Sequence, residues 1–600
     1  MNSKNTVVWF VVAAGLFAAI LFLDHYLRPP AAAGGNILPG LQASLASSVQ
    51  LIPAGALEIR ADRQGDSWLL TKPVSYPAQS AAVEALLAAL QNLAPATRIS
   101  AGEVHEHRTA DADFGFGPPQ VSVAITAGDQ RWQLQVGNKT APGDQVFLRV
   151  VGVDGVFVAD AGWLKFIPRS ASDWRSTALA SANAGTCDGI VLTNGAKIIE
   201  LRRDATNHLW RMVRPLVARA DSDRITGALQ GLQTAQTVQF VSDDPKMDFT
   251  VFGLQPADLD LWLNHGTNLI SALHIGKVAT NDAALVYSRR EGWNVVFTTA
   301  AEPLSPWRGT VNDFRDPHLL ELTAPVAEIE IQGLNEFTIQ RQGTNGWKVG
   351  GEKFPVDDET VQLFIKTLAG LRVAEFVKDV VTATDLAAYG LAAPARQITL
   401  RAVAGDTNVV IAQLAFAVQT NGIFVHRPDE EFIYAITPED FNTLLGEGSL
   451  FAAGWQFRDR RIWHFKDSDI AQITLRQGGK IRQVVHNGPN KWSLAAGSQG
   501  IINPPAIEEA AHRLGELTVP GWVARNVTEP EKYGLSPDKL EIVVEMKSGE
   551  KFAVAFGTEL PNANTALAAV TLEGERWAFV FPPVLYQFVT SYLTIPANNP

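Results

Sequence analysis

The segment His105-Glu106-His107 is the most metal-like group of side chains in the sequence. Two histidines two positions apart point to the same face of a strand, where both imidazoles could ligate one ion while Glu106 points away. No third ligand is evident beside them, and no other part of the chain repeats the pattern. We therefore interpret the segment as a surface loop and predict no metal site.

Paired aspartates separated by one residue are a second candidate for cation binding, because hard cations prefer carboxylate oxygens. Such pairs occur at Asp111 and Asp113, Asp221 and Asp223, Asp258 and Asp260, and Asp467 and Asp469. None has the spacing of an EF-hand loop, and each lies where a turn or a helix cap is expected. We predict that these aspartates shape turns and helix ends.

Cys187 is the only cysteine of the chain, so an intrachain disulfide is impossible. A lone thiol becomes a nucleophile beside a base, and its neighbours Thr186 and Asp188 offer no obvious one. The sequence also lacks the Gly-x-Ser-x-Gly, His-Glu-x-x-His and phosphate-loop motifs. We therefore predict no catalytic residue, no cofactor and no enzymatic activity.

Length and composition describe a globular chain of several domains. The 600 residues suit roughly four domains of about 150 residues each. Apolar residues make up 46% and charged residues 19%, which favours folded domains over disorder. The net charge of -12 argues against nucleic acid as a partner, because binding to phosphates requires a basic surface.

An uncharged apolar run at residues 6–23 predicts a transmembrane helix, because about 20 apolar residues span a bilayer. A cleaved signal peptide is the alternative, although its apolar core is usually shorter. Lys4 precedes the run, which predicts a cytoplasmic tail at residues 1–5 and an extracytoplasmic location for the rest. Residues 24–53 are rich in Ala, Gly, Ser and Pro, so we interpret them as a linker.

Internal repeats organise the rest of the chain, because two markers recur in phase at intervals of about 140 residues. One marker is a turn signature in which an aromatic residue and a glycine precede a proline: Phe114, Gly115 and Pro118; Phe252, Gly253 and Pro256; Tyr389, Gly390 and Pro394; Tyr533, Gly534 and Pro537. The other marker is a tryptophan about 40 residues earlier, at Trp68, Trp210, Trp347 and Trp492. We predict four repeats, at residues 54–180, 187–322, 325–465 and 469–600.

Each predicted repeat is an α+β unit of mainly antiparallel strands with one or two helices. Alternating apolar residues open the units with a strand, at Leu57-Glu58-Ile59, Ile190-Val191-Leu192, Ile329-Glu330-Ile331 and Ile473-Thr474-Leu475. A second strand carries the tryptophan, a helix such as 80–93 follows, and the turn signature leads into further strands. Because strands outnumber helices and short turns join them, an antiparallel sheet is expected.

The recurring residues have structural roles in this interpretation. The signature glycine permits a backbone angle that other residues avoid, and the proline stiffens the start of the next strand. We predict a buried turn rather than a nucleotide-binding loop, because a nucleotide-binding loop leads into a helix and here a strand follows.

Arginines occupy equivalent positions at the ends of three repeats, in Trp174-Arg175, Arg315-Asp316 and Arg458-Asp459. A guanidinium group forms bidentate hydrogen bonds with carboxylates, so one arginine can hold two segments in a fixed orientation. We predict that these arginines bridge one repeat to the next. An anion site is the alternative.

The repeats resemble the domain-of-unknown-function 4340 repeat family in the tryptophan strand, the turn signature and a Leu-x-Val/Ile-Gly stretch after it. That stretch appears at residues 134–137 and 273–276, and in altered form at Phe556-Gly557. The third repeat departs with Ala417 in place of the glycine, and the first has Phe116 where leucine is usual. The resemblance implies a membrane-anchored extracytoplasmic protein of the bacterial inner membrane, often encoded near gliding-type ABC-transporter components, and it implies no catalytic residue.

A non-enzymatic scaffold or accessory protein is the function that the sequence favours, because tandem repeats present an extended surface to a partner. We expect a protein partner in the cell envelope, such as an ABC transporter complex. The alternative is a cell-envelope glycan-binding module or hydrolase. Glycan binding would place the four phased tryptophans along an open groove, whereas we expect them in the cores of the repeats.

Overall fold

The computed structural model of the protein describes residues 15–17, 35–106, 108–180, 186–343, 346–405 and 407–593. The predicted tail 1–5 lies outside the described residues, as do nearly all of the predicted transmembrane helix 6–23 and the start of the predicted linker. Within the described part of the chain, no helix is long and apolar enough to cross a membrane.

Two compact units divide the chain, the first ending at Arg315 and the second beginning at Asp316. Each unit contains two antiparallel sheets, numbered sheets 1 and 2 in the first unit and sheets 3 and 4 in the second. Four antiparallel sheets with few helices confirm the predicted fold class at that level.

Each sheet of the first unit has nine strands. Sheet 1 contains β1 (Ser48–Pro53), β2 (Ile59–Gln64), β3 (Ser67–Lys72), β4 (Tyr76–Pro77), β5 (Thr97–Ile99), β6 (Val121–Ala127), β7 (Gln130–Lys139), β8 (Gln145–Val150) and β9 (Val156–Asp160). Sheet 2 contains β10 (Gly189–Asn194), β11 (Lys197–Arg203), β12 (Trp210–Arg214), β13 (Ala218–Arg219), β14 (Thr237–Ser242), β15 (Leu259–His265), β16 (Asn268–Ala279), β17 (Asp282–Arg290) and β18 (Val296–Ala300).

Each sheet of the second unit has eight strands. Sheet 3 contains β19 (Glu328–Gly333), β20 (Phe337–Arg341), β21 (Trp347–Val349), β22 (Glu375–Lys378), β23 (Arg396–Ala404), β24 (Thr407–Gln419), β25 (Gly422–His426) and β26 (Ile433–Ile436). Sheet 4 contains β27 (Ile470–Gln477), β28 (Lys480–Gly488), β29 (Lys491–Leu494), β30 (Trp522–Ala524), β31 (Glu541–Met546), β32 (Lys551–Leu560), β33 (Thr565–Leu572) and β34 (Glu575–Val580).

One strand order underlies all four sheets. In sheet 1 the order is β4-β3-β2-β1-β6-β7-β8-β9-β5. An opening meander therefore lies beside a second meander, and β1 joins the two by pairing with both β2 and β6. The strand β5 crosses to the far edge, where it pairs antiparallel with β9. Sheets 3 and 4 keep this order without an equivalent of β4 among the described strands.

The predicted linker 24–53 is wrong in its last part, because residues 48–53 form β1 in the middle of sheet 1. Ile37 and Leu38, also within the predicted linker, are buried in the core of that sheet. The segment Leu57-Glu58-Ile59 consequently leads into the second strand of its sheet rather than the first. The small residues and prolines around β1 concealed its alternating pattern.

Short helices join the meanders and pack on the sheets. They are α1 (Ser80–Gln91), α2 (Ala101–Glu106), α3 (Ala110–Asp113), α4 (Ser222–Thr234), α5 (Asp358–Ala369), α6 (Ala383–Ala388), α7 (Pro438–Leu445), α8 (Pro504–Gly515) and α9 (Pro583–Phe588). α1 buries Val83, Leu86 and Leu90 in the core of sheet 1, at the spacing of one helical face. Its bounds agree with the helix predicted at 80–93 to within two residues at its end.

Several polar residues lie at the N-termini of helices, where their side chains accept hydrogen bonds. Asn503 caps α8, since its Oδ1 accepts a hydrogen bond from the Ala506 amide at 3.3 Å, and a proline follows as predicted. Asp221 caps α4 by accepting from the Arg224 amide at 2.9 Å. Asp357, at the N-cap position of α5, instead accepts from the Thr360 hydroxyl at 2.6 Å.

Candidate functional site

The signature glycines all adopt the left-handed backbone conformation. φ is 78° at Gly115, 67° at Gly253, 73° at Gly390 and 68° at Gly534. Residues with a Cβ atom avoid this region, so the turn needs glycine in every repeat. The turn thus recurs for a backbone reason rather than a chemical one.

A second glycine lies against this turn in three of the repeats. A Cβ atom at Gly137, Gly276 or Gly557 would lie closer than 3.0 Å to the carbonyl oxygen of the signature aromatic residue. Backbone contact therefore holds the turn on the strand that follows it. In the third repeat Ala417 takes this place and packs in a cluster with Leu391.

The signature turn is only partly buried. The apolar residue after each signature glycine lies in the core: Phe116, Leu254, Leu391 and Leu535. Pro118, Pro256 and Pro537 are exposed, whereas Pro394 and the aromatic residues Phe114, Phe252, Tyr389 and Tyr533 are half-buried. The prediction of a buried turn is therefore wrong for the prolines. The turn lies at the surface end of a strand, where only one of its side chains points into the core.

The phased tryptophans differ in exposure. Trp68 and Trp210 are 2% exposed and Trp492 is 5% exposed, whereas Trp347 is half-buried. The Trp68 indole N–H donates to Glu84 at 2.8 Å. The Trp492 indole N–H likewise donates to Glu508, at 2.5 Å. Three of the four indoles thus pack inside their repeats.

The predicted loop around His105 is partly helical. His105 and Glu106 end α2, and His105 is exposed, whereas His107 lies outside the described residues. The Asp-x-Asp pairs are used individually, as in the Asp221 cap and in Asp260, which contacts the His274 Nδ1 at 2.5 Å. In the ranges that the structure describes, no group of three or more metal-binding side chains converges.

The Cys187 side chain is 1% exposed, and its Sγ–H donates to the Gly189 carbonyl at 3.1 Å. Burial raises the pKa of this thiol above its ordinary value. A protonated thiol is a poor nucleophile and a poor metal ligand. The cysteine therefore serves as a small buried side chain of sheet 2.

An arginine joins the two sheets of the first unit. The Arg175 side chain, 5% exposed, donates to both carboxylate oxygens of Asp243, at 2.9 and 2.5 Å. Its guanidinium also lies 4.8 Å from the ring centroid of Phe240, which lies in β14 of sheet 2. Arg175 comes after β9 and Asp243 after β14, so the pair spans the first seam, the contact region of sheets 1 and 2. The predicted bridging role of Arg175 is confirmed.

Arg458 has the same role in the second seam, the contact region of sheets 3 and 4. It donates to Glu573 of sheet 4 at 3.1 and 3.2 Å and lies 4.7 Å from the ring of Trp577. The Trp522 indole N–H donates to its carbonyl at 3.0 Å. The predicted bridge through a carboxylate is therefore confirmed for Arg458.

A further arginine of the second seam was not predicted. Arg525 donates to Glu575 at 2.7 Å and to Glu352 of sheet 3 at 2.5 Å. The hydrogen bond that Arg525 donates to the Glu575 carboxylate raises the pKa of this guanidinium further above its ordinary value. No motif marks Arg525 in the sequence, because its two carboxylates are distant along the chain.

Arg315, the third predicted bridge, is buried with 2% exposure. Its backbone forms an isolated antiparallel β-bridge with Ala220 in the first unit. Arg175 forms the same kind of β-bridge with Ala78, and Arg458 with Val356. Its Nη1 donates to Asn312 at 3.4 Å. The equivalence of the three arginines thus extends to their backbone pairing, while the carboxylate bridge of Arg315 stays a prediction.

A cleft of about 540 Å³ lies in the first seam. Its walls include Arg290, Trp293, Leu269, Ile270 and Ser271 of sheet 2, opposite Trp68 and Pro77 of sheet 1. The volume is in the range of small-molecule sites, which lie between about 300 and 1,000 Å³. Sequence reasoning missed this cleft, since its walls come from five separate segments.

The repeat markers have a counterpart in a known family. The chain matches the family described as "Domain of unknown function (DUF4340)" at residues 68–208, 210–353 and 347–537. The matches begin at Trp68, Trp210 and Trp347, so the family unit starts at the tryptophan strand of one sheet and extends into the next. Among curated proteins, none matches the chain. Because these tandem copies cover more than half of its length, the chain belongs to the DUF4340 family.

Proposed function

We propose that the chain is a non-enzymatic scaffold or accessory protein that docks a protein partner of the cell envelope. The bridged seams carry this proposal. A buried guanidinium with two hydrogen bonds to one carboxylate fixes both distance and orientation. Two sheets joined in this way present their surfaces at constant spacing, which suits a protein whose task is to hold a partner.

The use of the polar residues supports a structural rather than a catalytic role. Cys187 is bonded to a backbone carbonyl, Asp221 caps a helix, and Arg175 and Arg458 hold seams. These four side chains are therefore engaged in the fold.

The location is part of the same proposal. Residues 6–23 would anchor the chain in the bacterial inner membrane, with its bulk outside the cytoplasm. Support comes from the apolar run and from Lys4 before it. An ABC transporter complex is the partner that we would test first, on the strength of the family resemblance.

The alternative is a glycan-binding module or hydrolase of the cell envelope. Glycan binding requires exposed aromatic faces, and three of the phased tryptophans, Trp68, Trp210 and Trp492, are at most 5% exposed. Their burial weighs against that alternative.

Site-specific photo-crosslinking in intact cells tests the proposal. A photoreactive residue at Val217 or at Val403, which are 73% and 67% exposed, samples one surface of each unit. We expect a discrete adduct with a membrane protein. The adduct should weaken in Arg175→Gln, which loosens the first seam, and persist in Arg211→Gln, which alters an exposed arginine of sheet 2. Finding no adduct at several surface positions of either unit would argue against a docking function.

A further inference from the structure

Arg290 is a cation without an anionic partner. It ends β17, and its guanidinium lies 5.6 Å from the ring centroid of Tyr76. Its Nε is buried and has no hydrogen-bond partner. Among the described residues, no carboxylate or carbonyl accepts a hydrogen bond from this side chain. Burial accordingly lowers the pKa of the Arg290 guanidinium from its ordinary value, although an arginine stays charged at neutral pH.

The carboxylates around Arg290 are engaged elsewhere. Glu291 contacts the His274 Nε2 at 2.7 Å and Arg289 at 3.4 Å. Asp243 is held by Arg175. Among the described residues, Arg290 is therefore left without a carboxylate partner, in a chain whose net charge is -12.

Two neutral groups near Arg290 are also unsatisfied. The Tyr76 hydroxyl and the Ser288 hydroxyl are buried, and neither has a hydrogen-bond partner in the described structure. Buried polar groups usually find a partner, because an unpaired one has lost its hydrogen bonds to water without a replacement. Of these three residues, Arg290 lines the cleft, so its guanidinium is the unsatisfied group that a molecule in the cleft would reach.

The other repeats show that the fold does not require a free cation here. Arg290 pairs with Leu273 in the register of sheet 2. The equivalent residue in sheet 3 is Arg427, which directly follows the pair of His426 with Ala415. Its guanidinium donates to Asp429 at 2.6 Å and to the Leu319 carbonyl at 2.8 Å. In sheets 1 and 4 the equivalent positions are Val150 and Val570. At this position of sheet 2 the arginine instead lines the cleft of the first seam.

The lining of the cleft also suits the apolar part of a small organic molecule. Trp293 and Ile270 provide apolar walls beside the guanidinium, and the hydroxyls of Ser176 and Ser271 lie in the same lining. An arginine fork matches the geometry of a carboxylate, which accepts two parallel hydrogen bonds.

We propose that the first seam binds a small organic carboxylate, whose carboxylate group pairs with Arg290 and whose apolar body lies against Trp293. This ligand site goes beyond the scaffold role, and neither proposal depends on the other. Binding would supply the missing anion and would connect sheet 1 to sheet 2 through a molecule seated between them.

Ligand-observed NMR with the full-length protein tests the site. The probes are acetate, 2-methylpropanoate, benzoate and phenylacetate, with phenylacetamide as the uncharged match of the last. We expect at least one aromatic or branched carboxylate to bind, and phenylacetamide to bind about tenfold or more weakly than phenylacetate, because a charge-assisted pair is lost.

Substitutions locate the site. Arg290→Met removes the charge but keeps an unbranched side chain, so binding of the carboxylate should fall about ten- to hundredfold. Arg290→Lys should retain part of the affinity, and Arg211→Gln, at an exposed arginine of the same sheet, should retain all of it. Circular dichroism and thermal melting establish that each variant is folded.

Several outcomes would overturn the proposal. Failure of every carboxylate to bind the wild-type protein is one, and equal affinity for phenylacetate and phenylacetamide is another. Unchanged binding in a folded Arg290→Met variant would place the ligand elsewhere. The comparison of charged and neutral probes needs no variant, so it decides the matter even if Arg290→Met does not fold.

Discussion

Replacing Arg458 with glutamine should open the second seam without unfolding its sheets. The Arg458 side chain is 7% exposed, whereas its partner Glu573 is 56% exposed, so solvent screens part of their attraction. The variant loses two charge-assisted hydrogen bonds and the contact of the guanidinium with Trp577 at 4.7 Å. The seam is expected to weaken while the backbone hydrogen bonds of sheets 3 and 4 remain.

The magnitude follows from these contacts. The ion pair, discounted for the exposure of Glu573, contributes about 1–2 kcal/mol. The cation–π contact in a largely desolvated place adds about 1 kcal/mol. A loss of about 2–3 kcal/mol corresponds to a roughly thirty- to hundredfold increase in the population of the open seam.

Hydrogen exchange measured by mass spectrometry reports the population of the open seam, because amides that the seam protects exchange only when it opens. Peptides covering β30 and β34 should exchange about thirty- to hundredfold faster in Arg458→Gln. Arg461→Gln is the matched control, since Arg461 lies in the same segment with its side chain 74% exposed. Exchange within threefold of the wild type in Arg458→Gln would refute the claim that this arginine holds the seam.

Three further predictions concern the first unit and the third repeat. Gly276→Ala should destabilise the protein by several kcal/mol, because its Cβ would overlap the Phe252 carbonyl, whereas Gly227→Ala in the open middle of α4 should raise the melting temperature. Tyr76→Phe should leave the free energy of unfolding unchanged or raise it by about 1 kcal/mol, since the buried hydroxyl lacks a partner; a clear loss would reveal an acceptor. Hydrogen bonds from Lys378 and Thr382 lower the pKa of Asp385 from 3.8 to about 2. Its stabilising contribution is therefore present above the ordinary pKa and lost as the pH falls toward 2. Asp385→Asn should lower the melting temperature at pH 6, and a difference that persists below pH 2 would contradict this assignment.

The repeats could be predicted because they depend on local backbone needs. Glycine is favoured at φ near 70°, and a Cβ atom at Gly115, Gly253, Gly390 or Gly534 would also lie 3.0 Å or less from a neighbouring atom, so these glycines recur in phase along the chain. Arg175, Arg315 and Arg458 were predictable for a related reason. Each follows a short 3₁₀ helix in an equivalent place, so the pattern is visible in the sequence even though the carboxylate partner is not.

The features that escaped prediction depend on contacts between distant segments. β1 was taken for part of a linker, because its place in sheet 1 is settled by pairing with β2 and β6 rather than by its own composition. Burial of Trp68 and half-burial of Trp347 likewise depend on what packs over each strand. The cleft of the first seam exists only where two sheets meet, so no window of sequence contains it.

Repetition within one chain makes it possible to separate what the fold needs from what one copy has acquired. A side chain present in every copy, such as the signature glycine, satisfies the shared backbone. The position of Arg290 behaves differently, because valine fills it in sheets 1 and 4 and a fully paired arginine fills it in sheet 3. Either of those solutions would have cost less than burying an unpaired charge. An unpaired arginine retained in one copy, beside a cleft of ligand size, therefore points to a binding role that belongs to the first seam alone.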